Sequence, residues 1–133
     1  MATGGRRKDR VVLVAPQNDD TMLLAGLFAI AGFALSTVFD ADTVLAMCKL
    51  SLPDSIIIDL DTPGLEGLIL ATRLRGIEGA NTLTLVAIES TSATRVAPDA
   101  LQAAGFDGIV GRPATVTKLI DALSASVRGR REP

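Results

Sequence analysis

Ser55-Ile56-Ile57-Ile58-Asp59-Leu60-Asp61-Thr62-Pro63-Gly64 carries the fold of this chain. Its three consecutive isoleucines show no polar alternation. A β-branched run of that kind marks a strand buried on both faces, as in a parallel sheet covered by helices. Asp59 stands at the C-terminal end of the strand, and Pro63-Gly64 turns the chain into a helix around Leu68 to Leu74.

The same alternation extends in both directions. Val11 to Ala15 is a second short apolar run and reads as the first strand. Asp19 stands in position to cap a helix in which Leu23, Leu24, Leu27, Phe28 and Ala31 recur at helical spacing and face inward, until Gly32 stops it. Phe33 to Phe39 reads as a strand, and Asp42 as the cap of a helix through Val44, Leu45, Met47 and Cys48. On the C-terminal side, Leu83 to Ile88 and Phe106 to Val110 are strands. Pro98 opens a short helix ending near Gly105, and Thr115 caps a last helix through Val116, Leu119, Ile120, Leu123 and Val127. Five strand-helix units in about 117 residues predict an α/β parallel sheet with helices on both faces. In such sheets the functional crevice lies at the C-terminal strand ends. These ends are Ala15-Pro16, Asp59 to Asp61, Glu89-Ser90 and Arg112-Pro113.

A length of 133 residues suits one domain, and 48% hydrophobic residues support a packed core. The absence of His removes His-based metal sites and His-assisted nucleophiles, and the single Cys48 removes any intrachain disulfide. Cys48 itself reads as a small buried apolar residue. No nucleophile-base pair, phosphate loop or dinucleotide glycine motif is present, so no catalytic residues and no enzymatic activity are expected. The net charge of −2 is unevenly spread. Seven basic and two acidic residues leave residues 1–10 and 128–133 at +5, while six basic and thirteen acidic residues leave 11–127 at −7. The expected division is a basic tail over 1–9, a domain over 10–127 and a basic tail over 128–133. Arg6-Arg7-Lys8 precedes an apolar run too short for an export signal. The uncharged stretch Thr21 to Phe39 is broken by Gly26, Gly32 and Ser36-Thr37, which argues against a membrane span and for a cytoplasmic protein. The tails could form one basic patch, but without a recognition helix or aromatic platform they read as solubilising segments and not as a nucleic-acid site.

Along about 117 residues the sequence resembles the receiver domain of two-component response regulators. The resemblance rests on Pro53 to Gly67, on Ala31-Gly32-Phe33, and on Ala103-Ala104-Gly105-Phe106-Asp107-Gly108. It implies a flavodoxin-like (βα)5 doubly wound sheet in strand order 2-1-3-4-5. It also implies that Asp59 holds the place of the phosphoryl-accepting aspartate. The rest of the family's pocket is altered. Ala15, 17 residues before Gly32, and the adjoining Pro16 stand where receivers carry the acidic pair that holds Mg²⁺. Neither side chain can ligate a metal. Asp19 or Asp20 could enter only through a shifted loop. Glu89 stands where receivers have a Ser or Thr, and a carboxylate there repels a phosphoryl group. Ser90 could replace that hydroxyl only if the strand slipped by one residue, turning Leu85 and Ala87 to the wrong faces. The family's Lys-Pro becomes Arg112-Pro113, a candidate cis peptide, and Ile109 occupies the place of an aromatic switch residue.

The leading expectation is a degenerate receiver whose pocket holds Asp59, Asp61, Glu89 and Arg112. The planar guanidinium of Arg112 would bridge Asp59 to Glu89. The plainer alternative is a solvated Asp59 and an ordinary surface Arg112. No metal site or cofactor is expected. Mg²⁺ enters only under the rival reading, in which a cognate histidine kinase or phosphotransfer protein still phosphorylates Asp59. With chemistry lost, function moves to surfaces. Met22, Ala25, Gly26, Ala29 and Ile30 read as an outward apolar strip for a signalling partner (histidine kinase, phosphotransfer protein or other regulator) or for a homodimer. Ser90 to Ala97, with Thr91, Ser92 and Thr94, reads as a polar loop.

Overall fold

The structure is a computed structural model that describes residues 8–91 and 96–131, with side chains described through residue 126. Five parallel strands form one sheet in the order β2-β1-β3-β4-β5: β1 (Arg10–Val14), β2 (Ala34–Val38), β3 (Ser55–Asp59), β4 (Thr84–Ile88) and β5 (Gly108–Val110). The connecting helices are α1 (Asp19–Ile30), α2 (Ala41–Leu50), α3 (Gly67–Arg75), α4 (Pro98–Ala104) and α5 (Val116–Arg131), with a short 3-10 turn at Ala80–Thr82. This is the flavodoxin-like arrangement. The helix α5 continues past residue 127, where a tail was expected, and the tail residues 1–7 lie outside the described residues, as do Ser92, Thr94 and Glu132.

The period-two geometry of β3 divides the core. Ile56 and Ile58 point into one layer with Leu70, Leu74, Leu85 and Leu101, and Ile57 points into the other with Phe28, Val86 and Leu119. All three isoleucines are fully buried. Each contributes roughly 1.5–3 kcal/mol relative to exposure. The register Ile58↔Ala87 and Asp59↔Ile88 keeps Leu85 and Ala87 in the core, so β4 is not slipped.

Three local expectations are corrected. Asn18, not Asp19, caps α1: its backbone is extended and its side chain accepts the Thr21 N–H at 2.9 Å, which puts Asp19 inside the first turn. Asp40, not Asp42, caps α2 in the same way through the Thr43 N–H. The rotation of α1 also differs. Phe28 is buried and Leu24 half-buried, but Leu23 is 64% and Leu27 38% exposed, Ala31 is exposed, and Thr21 is buried instead. Ala25, expected outward, is half-buried. A helix that is apolar all round carries no polar face to fix its rotation in the sequence. A narrow stripe of Thr21, Leu24 and Phe28, with Phe28 edge-on to Phe33, is enough to seat it.

Arg75, at the end of α3, clamps the opposite end of the sheet. Its guanidinium donates to the carbonyls of Ala80, Leu83 and Gly105 and pairs with Asp107 at 2.8 Å, while Asp107 accepts the Leu85 N–H. Gly105 ends α4 at φ +116°, and a Cβ there would meet the Arg75 side chain at 2.7 Å. No helix among the described residues is long and apolar enough to cross a membrane. Replacing Ile57 by Ala opens a cavity at the centre of one layer. Urea unfolding of Ile57→Ala is expected to show a loss of about 2–5 kcal/mol with native secondary structure retained.

Candidate functional site at the C-terminal ends of the strands

β3, β4 and β5 are neighbours in the sheet, so their ends deliver Asp59, Glu89 and Arg112 to one crevice. Asp59 is the last residue of β3 and only 8% exposed. Just beyond the strand the chain folds back on it: the Thr62 N–H and Oγ1 both donate to the Asp59 carbonyl, at 3.0 and 2.6 Å. That turn aims the Asp61 N–H at Asp59 Oδ1, at 2.8 Å.

Arg112 follows β5, and its peptide bond to Pro113 is cis. Its Nη2 donates to Asp59 Oδ1 in a short contact and lies 3.1 Å from Asp61 Oδ2, while Nε donates to the Glu89 carbonyl at 2.9 Å. The guanidinium therefore ties Asp59 to Asp61. The bridge differs from the expected one, because Arg112 meets Glu89 through its backbone carbonyl. The reason is reach: Asp61 stands two residues beyond Asp59 on the same turn, so one nitrogen of Arg112, Nη2, contacts an oxygen of each carboxylate.

Asp61 gathers more partners than any other acid in the crevice. Ser90 Oγ donates to its Oδ1 at 2.7 Å, Thr91 Oγ1 to its Oδ2 at 2.7 Å, and the Thr91 N–H lies 3.2 and 3.1 Å from the two oxygens. Partial burial pushes this carboxyl up. The hydrogen bonds from Ser90 and Thr91, together with the Arg112 charge, outweigh that and hold it below the ordinary aspartate value of 3.8. Neither the role of Asp61 as a hub nor its link to the β4–α4 segment was apparent from the sequence. The one available signal was a second acid two residues after the strand-end acid, followed 29 and 30 residues later by Ser90 and Thr91.

Beside the bridge lies a cleft of about 280 Å³ bounded by Ala15, Asp20, Leu24, Asp59, Arg112 and Pro113. Ala15 is buried, Pro16 half-buried, and Asp20 lies on the cleft wall from the first turn of α1. Among the described residues no group of three acidic or Cys side chains is placed to hold a metal ion. Ile109, 37% exposed on β5, lies outside this crevice and lines a separate hollow of about 300 Å³ with Pro98 and Phe106. On α1, Met22, Gly26, Ala29 and Ile30 are exposed and away from the crevice.

The chain is 30% identical over 129 residues to the transcriptional regulatory protein PrrA of Mycobacterium leprae, a match over 95% of this chain. It spans about half the length (53%) of this and the other PrrA relatives it matches. Among solved structures it is similar to the receiver domain of sensor histidine kinase PA1611 from Pseudomonas aeruginosa, which has a magnesium ion in its active-site cleft. There the TM-score is 0.78 at 16% identity, covering 91% of this chain and 98% of that one. It is also similar to the chemotaxis response regulator CheY4 of Vibrio cholerae, with a TM-score of 0.77 at 19% identity over 90% and 98% of the two chains. No family model matches the chain.

The depressed Asp61 titration sets a pH signature. A carboxyl held lower in the folded state than unfolded stabilises fully above its unfolded value and loses that contribution as pH falls through the folded one. The stability difference between the parent and Asp61→Asn is expected to be constant near neutrality and to shrink below about pH 4, read from urea midpoints across the acid range.

Proposed function

We propose that this chain acts in two-component signalling as a phosphorylation-independent interaction module, a reading supported by its similarity to PrrA and by its receiver-like fold. The observation that carries this reading is the Arg112 guanidinium lodged between Asp59 and Asp61. Accepting a phosphoryl group requires a carboxylate oxygen open to attack and a cation to offset the developing charge. Here Asp59 Oδ1 accepts from both Arg112 and the Asp61 N–H. Among the described residues, the guanidinium of Arg112 is the positive charge at this crevice, and it is already committed to protein carboxylates.

The donor set does not fit Mg²⁺. That ion demands near-octahedral oxygen coordination, yet Ala15 and Pro16 contribute no side-chain oxygen, and Asp59 and Asp61 share a guanidinium. Ile109 lacks a ring to swing between pockets, so β5 carries no aromatic readout. Receiver domains are signalling modules and not enzymes in the ordinary sense. The proposed partners are signalling proteins, met in the cytoplasm through the exposed surface of α1 or of α4 and β5.

One observation favours a second reading, slow phosphorylation of Asp59. Asp59 and Asp20 both line the 280 Å³ cleft, so the acid is not sealed from solvent. Intact mass spectrometry after incubation with Mg²⁺ and acetyl phosphate separates the two. The degenerate pocket predicts an unchanged mass. A stoichiometric gain of one phosphate in the parent, absent from Asp59→Asn, would establish the second reading.

A further inference from the structure

We propose that the exposed face of α1 is a homodimer surface, on which a second copy of this chain docks with the two α1 helices antiparallel about a twofold axis. Met22, Leu23, Leu27 and Ile30 are 58%, 64%, 38% and 85% exposed. At 3.6 residues per turn they fall, with Gly26 and Ala29 between them, on one contiguous half of the helix, opposite Thr21, Leu24 and Phe28. Single exposed apolar residues are ordinary, but a contiguous face of large ones is the mark of an interaction surface. No residue from Thr21 to Phe39 is charged, a stretch that also includes β2, the edge strand of the sheet.

Charge selects the occupant. Residues Thr21 to Ile30 carry no charge, so a second copy can dock on this face without setting like charges together at its centre. The ends of the face are complementary to one another. Asp19, exposed, lies at its N-terminal end on the same side as Gly26 and Ile30. At the other end the chain leaves Ile30, turns at Gly32 and enters β2, where the Ala34 N–H donates to the Asp9 carbonyl at 2.9 Å. Exposed Lys8 therefore stands at the C-terminal end of α1. With Arg6 and Arg7 preceding it in the sequence and Asp9 following, residues 6–9 sum to +2. An antiparallel pair pivoting near Gly26 brings Lys8 of each copy toward Asp19 of the other, and the twofold axis repeats the contact. A parallel pair would set like charges together. One helix and a short edge strand give less area than the roughly 800 Å² per partner of a standard stable interface, so the association is weak and reversible.

This inference stands on α1 and is independent of the state of Asp59. Sedimentation equilibrium of the full chain is expected to show a mass rising with concentration from 13.8 kDa toward twice that value. Ile30→Glu, at a site too exposed to unfold the domain, is expected to weaken dimerisation at least about tenfold. Lys8→Glu weakens it, and Lys8→Glu combined with Asp19→Lys restores it to within about threefold of the parent. A parent monomeric at every concentration would overturn the proposal and leave the face to a different protein. So would an Ile30→Glu variant that dimerises as the parent does, or a double charge swap that fails to recover.

Discussion

A guanidinium held between two carboxylates organises the functional end of this domain. Asp59 and Asp61 stand two residues apart on one tight turn, where two negative charges close to a hydrophobic sheet would repel. Arg112 offsets both, and its third contact, to the Glu89 carbonyl, draws the end of β4 into the same arrangement. Removing the arginine would leave a nearly buried acid without its counterion, the costly way to break such a pair. The rest of the charge on Asp61 is met by hydrogen bonds from Ser90 and Thr91.

The sheet makes that balance possible. Parallel pairing places the C-terminal ends of β3, β4 and β5 side by side, and the buried isoleucines of β3 fix the register that brings Asp59 level with Ile88. Asp61 then extends the network into the segment after β4 through Ser90 and Thr91. At the far end of the sheet Arg75 ties α3, α4 and β5 together. Arginine side chains thus tie neighbouring elements together at both the crevice and the opposite edge of the sheet.

Much of this was legible in the sequence. The Ile56-Ile57-Ile58 run, the Pro98 helix start and the glycine stops at Gly32 and Gly105 are local signals with a direct physical cause, and the alternation they punctuate specifies a parallel sheet. It is equally plain that Ala15 and Pro16 carry no ligating side chain. Two features could not be read. The rotation of α1 has no polar residue to mark it, so Leu23 and Leu27 were assigned inward and stand in solvent. The partner of Arg112 depends on the path of the turn after β3, a tertiary matter; the sequence points to Glu89 as the second carboxylate, and the turn supplies Asp61 instead. The caps failed for a simpler reason, since Asn18 and Asp40 each lie one or two residues before an equally suitable acid.

The central claim is that Arg112 occupies the crevice in place of a metal and a phosphoryl group. It is tested most directly by nuclear magnetic resonance of the backbone amides of Asp59, Leu60 and Asp61, together with the Arg112 side-chain Nε–H, during titration with Mg²⁺ and beryllofluoride. The account predicts no saturable shift at any of these positions and an Arg112 Nε–H that remains hydrogen-bonded throughout. Saturable shifts at Asp59 and Asp61, accompanied by release of the Arg112 side chain, would contradict it.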